Sequence, residues 1–449
     1  MLNAKCQILN FPKARHFRKY CPLVIEHAES PLERSLKELF RNAYRFPVVR
    51  ALLHRFGPAV WRLPRELRRR MVPESGWVRA RGAEVLAFGT RQNVHPAKFL
   101  FAEGGMNLGQ RMAAARYRLP QGHVARLPQA WLVGKHAAPM TSDGKLLLSP
   151  FRDAPRILAL EWHEDILAFV RGGEFRIRPT EPQWREVFPL VSRLDPNYFH
   201  WMVESCGQLQ GLEAYCAATD TKPQILIRAG GNAYIRQSLE LLGYGGQIIE
   251  WTEGNAPAFA EGVILATLPG NRVACSPASL RWLRGKFLAA AGVDAAGVGE
   301  TGATRKIYIR RKPGGWRSVA NDDEVAEALE AEGFETTRPE GLTLAQQIRL
   351  FAEAKIIVGM HGAGLTNILF APGAAILELT GDYGGGEYMS MASGLGNAYG
   401  SMRCRTEGDD IVVDVGALRA VIGRLQRSTN NEQRTTTAAD AAKNLEPRT

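Results

Sequence analysis

The feature that most constrains this chain is a regular alternation of strand-like and helix-like segments between about residues 198 and 380. Apolar runs such as KIYIRR (306–311) and KIIVGM (355–360) are separated by amphipathic stretches of about 10–15 residues. Helical connections of this length join parallel strands. The pattern therefore predicts βαβ units and open α/β sheets.

Two α/β blocks are predicted, because the Gly-, Ala- and Thr-rich stretch 293–304 interrupts the alternation and is typical of a linker. Short alternating runs before the blocks predict a β-rich region, and the polar C-terminal stretch predicts disorder. The predicted fold class is α/β, with two Rossmann-like domains facing a cleft. The predicted division is a basic helical segment 1–74, a β-rich region 75–190, Rossmann-like domains 191–292 and 305–427, and a disordered tail 428–449.

Positive charge is concentrated near the N-terminus. The formal net charge is +12, and residues 32–71 alone hold eleven Lys or Arg against three Glu, with apolar and aromatic side chains between them. Three interpretations of this stretch stay open: a solvated helical face, a segment lying on an anionic membrane surface, and an RNA-binding segment. No RRM, KH or zinc pattern supports the third, so a nucleic-acid partner is not expected.

Other features limit the location and the cofactors of the protein. The sequence has no run of about 18 apolar residues, so no membrane-spanning helix is predicted. Residues 1–20 lack the apolar core of a signal peptide. The six cysteines are widely spaced without a CxxC pair. This spacing favours reduced thiols and disfavours a structural zinc site. We therefore expect a cytoplasmic protein.

The strand KIIVGM runs directly into His361-Gly362-Ala363-Gly364. In a parallel α/β sheet, ligands bind at the carboxyl ends of the strands. The two glycines permit positive φ and close backbone approach, and a helix beginning near Leu365 would direct its N–H groups and dipole at the hollow. The segment is neither a GxGxxG fingerprint nor a Walker loop, so a phosphate group is favoured over nicotinamide or ATP. A tight strand–helix turn is the alternative.

Charged residues are predicted on the same rim. Arg310 and Arg311 end the strand KIYIRR, and guanidinium groups bind diphosphate oxygens in bidentate pairs. Arg317 lies in the following loop, and Glu378 ends the strand after the glycine loop, where a carboxylate could accept ribose hydroxyls. Ordinary surface charge and local capping are the alternatives for these residues.

A second candidate group lies in DPNYFHWMVES (195–205). On a helix, His200 and Glu204 are four residues apart and share a face. A carboxylate beside an imidazole can act as a general base, and a packed histidine near a helix N-terminus is the alternative. No DxD motif lies near a strand end. An arginine-held diphosphate is therefore favoured over a metal-held one.

The segments NYFHWMVES, KIYIRRKPGGWRSVANDDEV, EGLTLAQQIRLFAEAKIIVGMHGAGLTNILF and AAILEL resemble, in order and spacing over roughly 190–385, the catalytic domain of glycosyltransferase family 61. The resemblance implies a GT-B-like fold, a nucleotide-sugar donor, inversion at the anomeric carbon, and no metal or other cofactor. The Leu-Pro that usually follows the catalytic acid in the family is replaced by SCGQL. The site predicted from the motifs and the resemblance comprises catalytic Glu204 and His200, donor-binding Arg310, Arg311, Arg317, His361, Gly362, Ala363, Gly364, Asn367 and Glu378, and acceptor-side Asn197 and Trp201.

The function predicted from the resemblance and the motifs is that of an inverting hexosyl- or pentosyltransferase. Its partners would be a nucleotide-sugar donor and a glycan or lipid-linked glycan acceptor in surface or capsular polysaccharide synthesis. A non-catalytic nucleotide-sugar or glycan-binding protein of the same fold is the alternative. An enzyme with a lipid-linked acceptor needs contact with the inner face of the membrane, for which residues 32–71 supply basic and apolar side chains.

We predict that binding to anionic vesicles weakens when Arg68, Arg69 and Arg70 are changed to Ser. Each basic residue near an anionic surface contributes about 1 kcal/mol, and salt screens this attraction. Co-sedimentation with vesicles of phosphatidylglycerol, compared with neutral vesicles, measures the effect. Binding that ignores lipid charge would leave the stretch as a solvated helical face.

Overall fold

The computed structural model describes residues 71–73, 84–94, 99–148, 181–192, 194–252, 257–270, 274–294, 303–311, 317–382 and 385–427. All of the described residues belong to one compact unit. Apart from Met71, the basic stretch lies outside the described residues, as do the tail 428–449 and linker residues 295–302. The predictions made for those segments stay predictions.

The described residues contain nineteen strands and eight α-helices. The strands are β1 (Met71–Pro73), β2 (Glu84–Phe88), β3 (Gln92–Val94), β4 (Phe99–Glu103), β5 (Tyr117–Leu119), β6 (Gly122–Val133), β7 (Ala138–Met140), β8 (Leu146–Leu148), β9 (Trp184–Pro189), β10 (Gln224–Arg228), β11 (Ile248–Trp251), β12 (Ala258–Ala266), β13 (Arg305–Ile309), β14 (Glu335–Thr337), β15 (Ala354–Met360), β16 (Ala375–Thr380), β17 (Ala398–Arg403), β18 (Arg405–Glu407) and β19 (Asp410–Val412). The α-helices are α1 (Leu108–Ala113), α2 (Leu209–Thr219), α3 (Ala233–Leu241), α4 (Pro277–Ala290), α5 (Asp322–Ala331), α6 (Leu344–Ala352), α7 (Glu387–Leu395) and α8 (415–427).

A six-stranded sheet forms the C-terminal half of the unit. Its order is β14–β13–β15–β16–β17–β4, and every neighbouring pair is parallel. β16 is buried along its whole length, and β15 along nearly all of it, as expected for a parallel sheet covered on both faces. The predicted α/β class with parallel sheets is therefore confirmed. The edge strand β4 comes from the region that the sequence predicts to be separate and β-rich.

A nine-stranded mixed sheet forms the other half. β9, β10, β11 and β12 make parallel pairs, and β6 then runs antiparallel to β12 along most of its length. β6 also pairs with β2 and β7, and β8 joins β7 to β1. The β-rich region thus extends the first α/β sheet, because an open sheet edge leaves backbone N–H and C=O groups to be paired. Residues 71–73, at the end of the predicted helical segment, are a strand of this sheet.

Helix starts follow the capping residues seen in the sequence. Ser276 accepts a hydrogen bond from the Ser279 N–H in front of α4, and Thr343 forms a capping box with Gln346 at α6. Asn321 precedes α5 without capping its backbone: its side chain bonds to the Val413 backbone and donates to the Glu324 side chain at 2.9 Å. No helix among the described residues is long and apolar enough to cross a bilayer.

Helix α4 of the first block packs on the second block, against α7, α6 and the 3-10 helix Ala363–Phe370. It carries Arg284, whose pKa burial lowers to about 10, so the side chain stays charged at neutral pH. The Arg284 guanidinium donates to backbone oxygens that end two other helices. These acceptors are the carbonyls of Ile368, Leu369, Ala371 and Leu395, together with the side-chain oxygen of Asn397.

We predict that Arg284→Met lowers the free energy of unfolding by about 3 kcal/mol or more, because several buried carbonyl groups lose a charged donor at once. Arg281 on the same helix donates to one carbonyl, that of Gly394 at 2.9 Å. The control Arg281→Met is expected to cost about 1 kcal/mol. Urea unfolding measures both variants, and equal losses would contradict a clamping role for Arg284.

Candidate active site

The glycine loop follows β15 at the carboxyl edge of the six-stranded sheet. The helix after it is a 3-10 helix over Ala363–Phe370, two residues earlier than predicted. The predicted need for positive φ is not observed, because Gly362 is extended with φ 164°. Close approach is the observed reason for glycine. A Cβ at Gly362 would lie 3.2 Å from the guanidinium carbon of Arg311, and one at Gly364 would lie 3.0 Å from Ile309.

The two neighbouring arginines have different environments. The Arg311 guanidinium lies over Gly362 at the loop. Arg310 instead forms ion pairs with Asp322, at 2.7 Å, and with Asp323 at the start of α5. The predicted rim is therefore occupied by Arg311, whereas Arg310 holds the first turn of α5, where carboxylates also match the helix dipole.

Arg317 lies near the same loop, and its charge acts on the hydroxyl of Tyr388, which packs edge-on against His361. Burial, followed by the charges of nearby carboxylates, holds the pKa of Tyr388 well above its ordinary value. Arg317 thus stays on the predicted donor side.

Glu378 is fully buried, so its carboxylate does not reach a ribose. One oxygen lies 2.5 Å from Nδ1 of His361, and the other accepts a hydrogen bond from the Tyr399 hydroxyl. Gln110 in turn donates to the Tyr399 oxygen at 2.9 Å. Glu378 therefore orients a site residue instead of contacting the ligand.

His200 and Glu204 are in contact, as their spacing predicts: Nδ1 of His200 lies 2.8 Å from a Glu204 carboxylate oxygen. Both side chains are a little over a quarter exposed, at 29% and 28%, so a substrate could reach them. The backbone differs from the regular helix on which this spacing was interpreted. It is a π-helix over His200–Ser205 and a 3-10 helix over Cys206–Gln208, and α2 follows. π-Helical turns recur at functional sites.

The two residues predicted on the acceptor side have structural contacts. The Asn197 side-chain oxygen accepts hydrogen bonds from the N–H groups of Phe199 and His200, which caps this helix. The Trp201 indole has no exposed surface and donates to Ser238 at 2.8 Å. Trp201 is therefore a core residue, with no surface through which to contact an acceptor.

Asn367 joins the two halves of the site. It is fully buried, accepts a hydrogen bond from the Tyr198 hydroxyl at 2.9 Å, and donates to Gln347 and to the carbonyl of Gly364. Asn367 was predicted to bind the donor, but its polar atoms are engaged within the protein. The half-buried part of the motif is Ala363 and Gly364.

A row of rings connects the two histidines. The ring of His200 lies edge-on to Phe199, Phe199 to Tyr388, and Tyr388 to His361, with centroids 5.3–5.7 Å apart. Glu387 at the start of α7 lies 3.8 Å from Nε2 of His361 and is one-third exposed. The helix with Glu204 and the glycine loop thus form one site.

The pKa of a buried thiol is affected by carboxylates from both parts of the site. Burial raises the pKa of Cys275 to about 12, and the charges of Glu204 and Glu387 add to that rise. A carboxylate from each half of the site therefore acts on the same sulfur. Within the described ranges, no group of three or more His, Cys, Asp or Glu side chains could hold a metal ion.

Sequence reasoning missed several residues of the site: Gln110, Tyr198, Gln347, Glu387, Tyr388 and Tyr399. Gln110 and Tyr399 are 289 positions apart, so no local pattern connects them. The one available signal was the spacing of Asn107 and Gln110, which is typical of a capping box and which the structure contains.

Comparison with known proteins gives two matches. Residues 198–377 match the model of the family Glycosyltransferase 61. A segment of 79 residues is 39% identical to the EGF domain-specific O-linked N-acetylglucosamine transferase of Drosophila melanogaster. That match covers 17% of this chain and 15% of the fly protein. Residues 198–377 are thus similar to the glycosyltransferase 61 family, as the motifs in this region indicate.

Proposed function

We propose that this protein is an inverting glycosyltransferase that moves a sugar from a nucleotide-sugar donor to a hydroxyl acceptor. The observation that carries the proposal is the accessible pair of His200 and Glu204, held against the glycine loop through the 2.9 Å hydrogen bond from Tyr198 to Asn367. A base on one side and an anion-binding loop on the other are what a single displacement requires. The family match supports the reaction class.

In the proposed step, the Glu204 carboxylate takes the proton of an acceptor hydroxyl while that oxygen bonds to the anomeric carbon. The bond from this carbon to the diphosphate breaks, and its electron pair leaves with the phosphate oxygen. Nδ1 of His200 orients the carboxylate from 2.8 Å. Arg311 and the first N–H groups of the 3-10 helix stabilise the leaving diphosphate, whose charge develops in the transition state.

The acceptor proposed is a glycan or lipid-linked glycan of surface or capsular polysaccharide synthesis, met at the inner face of the membrane. The basic and apolar side chains of residues 32–71 support this part of the proposal. The name of the fly relative makes N-acetylglucosamine the first sugar to test as donor. No metal is assigned a step, because Arg311 supplies positive charge at the loop.

The alternative is a protein of the same fold that binds nucleotide sugars or glycans without turnover. It would use Arg311 and the loop but not the base. An accessible carboxylate with an oriented imidazole favours the enzyme. The next experiment distinguishes sugar transfer from binding without turnover.

We predict that Glu204→Gln lowers sugar transfer by about 10²–10⁴-fold, because the amide keeps the shape but cannot take a proton. Nucleotide binding is expected to stay near wild type. The control is Glu213→Gln, since Glu213 on α2 also has a partner, Lys286 at 2.8 Å, and is 38% exposed. Nucleotide release with acceptor measures transfer. Full activity in Glu204→Gln would assign the base elsewhere, and binding without transfer in the wild type would favour the alternative.

We predict that Arg311→Ala weakens binding of the preferred nucleotide by about 1.5–3 kcal/mol, the value of a hydrogen bond to a charged group. Thermal shifts with UDP, GDP and CMP identify that nucleotide. Arg305→Ala is the matched control, because Arg305 begins the same strand at its opposite end and pairs with Glu335 and Glu353. Equal affinity in the Arg311 variant and the wild type would remove Arg311 from the site.

A further inference from the structure

We infer that the buried Glu378 carboxylate sets the proton position of His361. One oxygen of Glu378 is held by a hydrogen-bond chain from Asn107 through Gln110 and Tyr399, and the other fixes the proton on Nδ1 and leaves Nε2 as the nitrogen that meets the donor. This inference deepens the proposed function and rests on it for the identity of the ligand. The proton position itself does not depend on that function.

The direction of the chain is fixed at its start. The backbone N–H of Asn107 can only donate, and the side-chain oxygen of Gln110 accepts it at 3.0 Å in the capping box. The amide nitrogen of Gln110 therefore faces Tyr399, whose oxygen lies 2.9 Å away. An amide nitrogen is a donor only, so the Tyr399 oxygen must accept.

The next two hydrogen bonds follow from the same assignment of donors and acceptors. The Tyr399 hydroxyl has one proton, which it gives to Glu378. Burial and the Glu378 charge hold the pKa of Tyr399 well above its ordinary value, so this proton is kept. The other Glu378 oxygen lies 2.5 Å from Nδ1 of His361 and accepts its proton. An ionised carboxylate only accepts.

The far side of the imidazole faces a partly exposed carboxylate. Nε2 of His361 points toward Glu387, which lies 3.8 Å away, beyond hydrogen-bond distance, and is one-third exposed. Tyr388 packs edge-on against the ring, with the two centroids 5.3 Å apart. Nε2 is therefore the ring nitrogen that exchanges a proton with a bound ligand, and Gln110, Tyr399 and Glu378 act as positioning residues.

The arrangement spans distant parts of the chain. Gln110 lies on α1 and Tyr399 on β17, both outside residues 198–377 that match the family. All four side chains from Gln110 to His361 are nearly or fully buried. Buried polar groups of this kind are costly unless satisfied, and each one here has a partner within the chain.

The first test replaces the acceptor that faces Nδ1 of His361 with a donor. In Glu378→Gln, Tyr399 still donates to the side-chain oxygen, so the new amide nitrogen faces Nδ1 and forces the proton to Nε2. Nitrogen NMR of the histidine-labelled protein, with His361 assigned by loss of its signals in His361→Gln, is expected to show a protonated Nδ1 in the wild type and an unprotonated Nδ1 in Glu378→Gln. An unprotonated Nδ1 in the wild type, or the same state in both proteins, overturns the inference.

The second test restores an acceptor oxygen facing Nδ1 of His361. In the double variant Glu378→Gln with Tyr399→Phe, the amide can turn its oxygen toward His361, so protonated Nδ1 and part of the lost activity are expected to return. A merely structural role predicts further loss instead, and that result overturns the inference. kcat/KM for the nucleotide sugar is expected to fall about 10–100-fold in Glu378→Gln alone.

Tyr399→Phe alone controls for the loss of a buried hydroxyl, and Tyr215→Phe is its match. Tyr215 is as buried and donates to Glu186 at 2.7 Å, away from the site. Both variants are expected to lower Tm and to leave Nδ1 of His361 protonated, because the carboxylate accepts its proton with or without Tyr399. An unprotonated Nδ1 in Tyr399→Phe overturns the inference. Absence of any turnover in the wild type overturns the proposed function and leaves the NMR result to judge the proton position.

Discussion

The buried carboxylate of Glu378 is the constraint on which much of this site depends. A charge without solvent must be satisfied by hydrogen bonds within the protein, and here His361 and Tyr399 supply them. That requirement brings β17 alongside β16, seats α1 over the sheet through Gln110, and holds the imidazole at the end of β15. The position of the glycine loop is therefore coupled to three other elements.

A second constraint acts on the backbone that follows the loop. The 3-10 helix after the glycines ends in the interior, where its last carbonyl groups need donors. Arg284 supplies them from α4, a helix of the other block. Tyr198 makes a further link, to Asn367 in the middle of the same helix. The helix with Glu204 and the glycine loop are held together by these contacts, so their relative position does not rely on the linker between the blocks.

The strand and helix order was predictable because periodicity and caps are local signals. The parallel sheet, the Ser276 and Thr343 caps and the contact of His200 with Glu204 all follow from nearest-neighbour patterns. Pairing between distant parts of the sequence was not predictable. Nothing near Phe99 or Gln110 indicates that β4 and α1 join the C-terminal sheet, since the partners are almost 300 positions away. Arg310 and Arg311 show the same limit. The two arginines are adjacent in the sequence, and only their neighbours in space distinguish them: the acids of α5 for Arg310 and the glycine loop for Arg311.

The family region alone is therefore an incomplete description of the site. Residues 198–377 contain Glu204 and the glycine loop and end one residue before Glu378, and the group that donates to Glu378 lies on β17 and the group that orients it lies on α1. Because hydrogen bonds have a direction, the backbone N–H of Asn107 determines that Gln110 donates to Tyr399 and that Tyr399 gives its proton to Glu378. A helix cap on α1 therefore satisfies one oxygen of a buried carboxylate that lies far from it in the sequence.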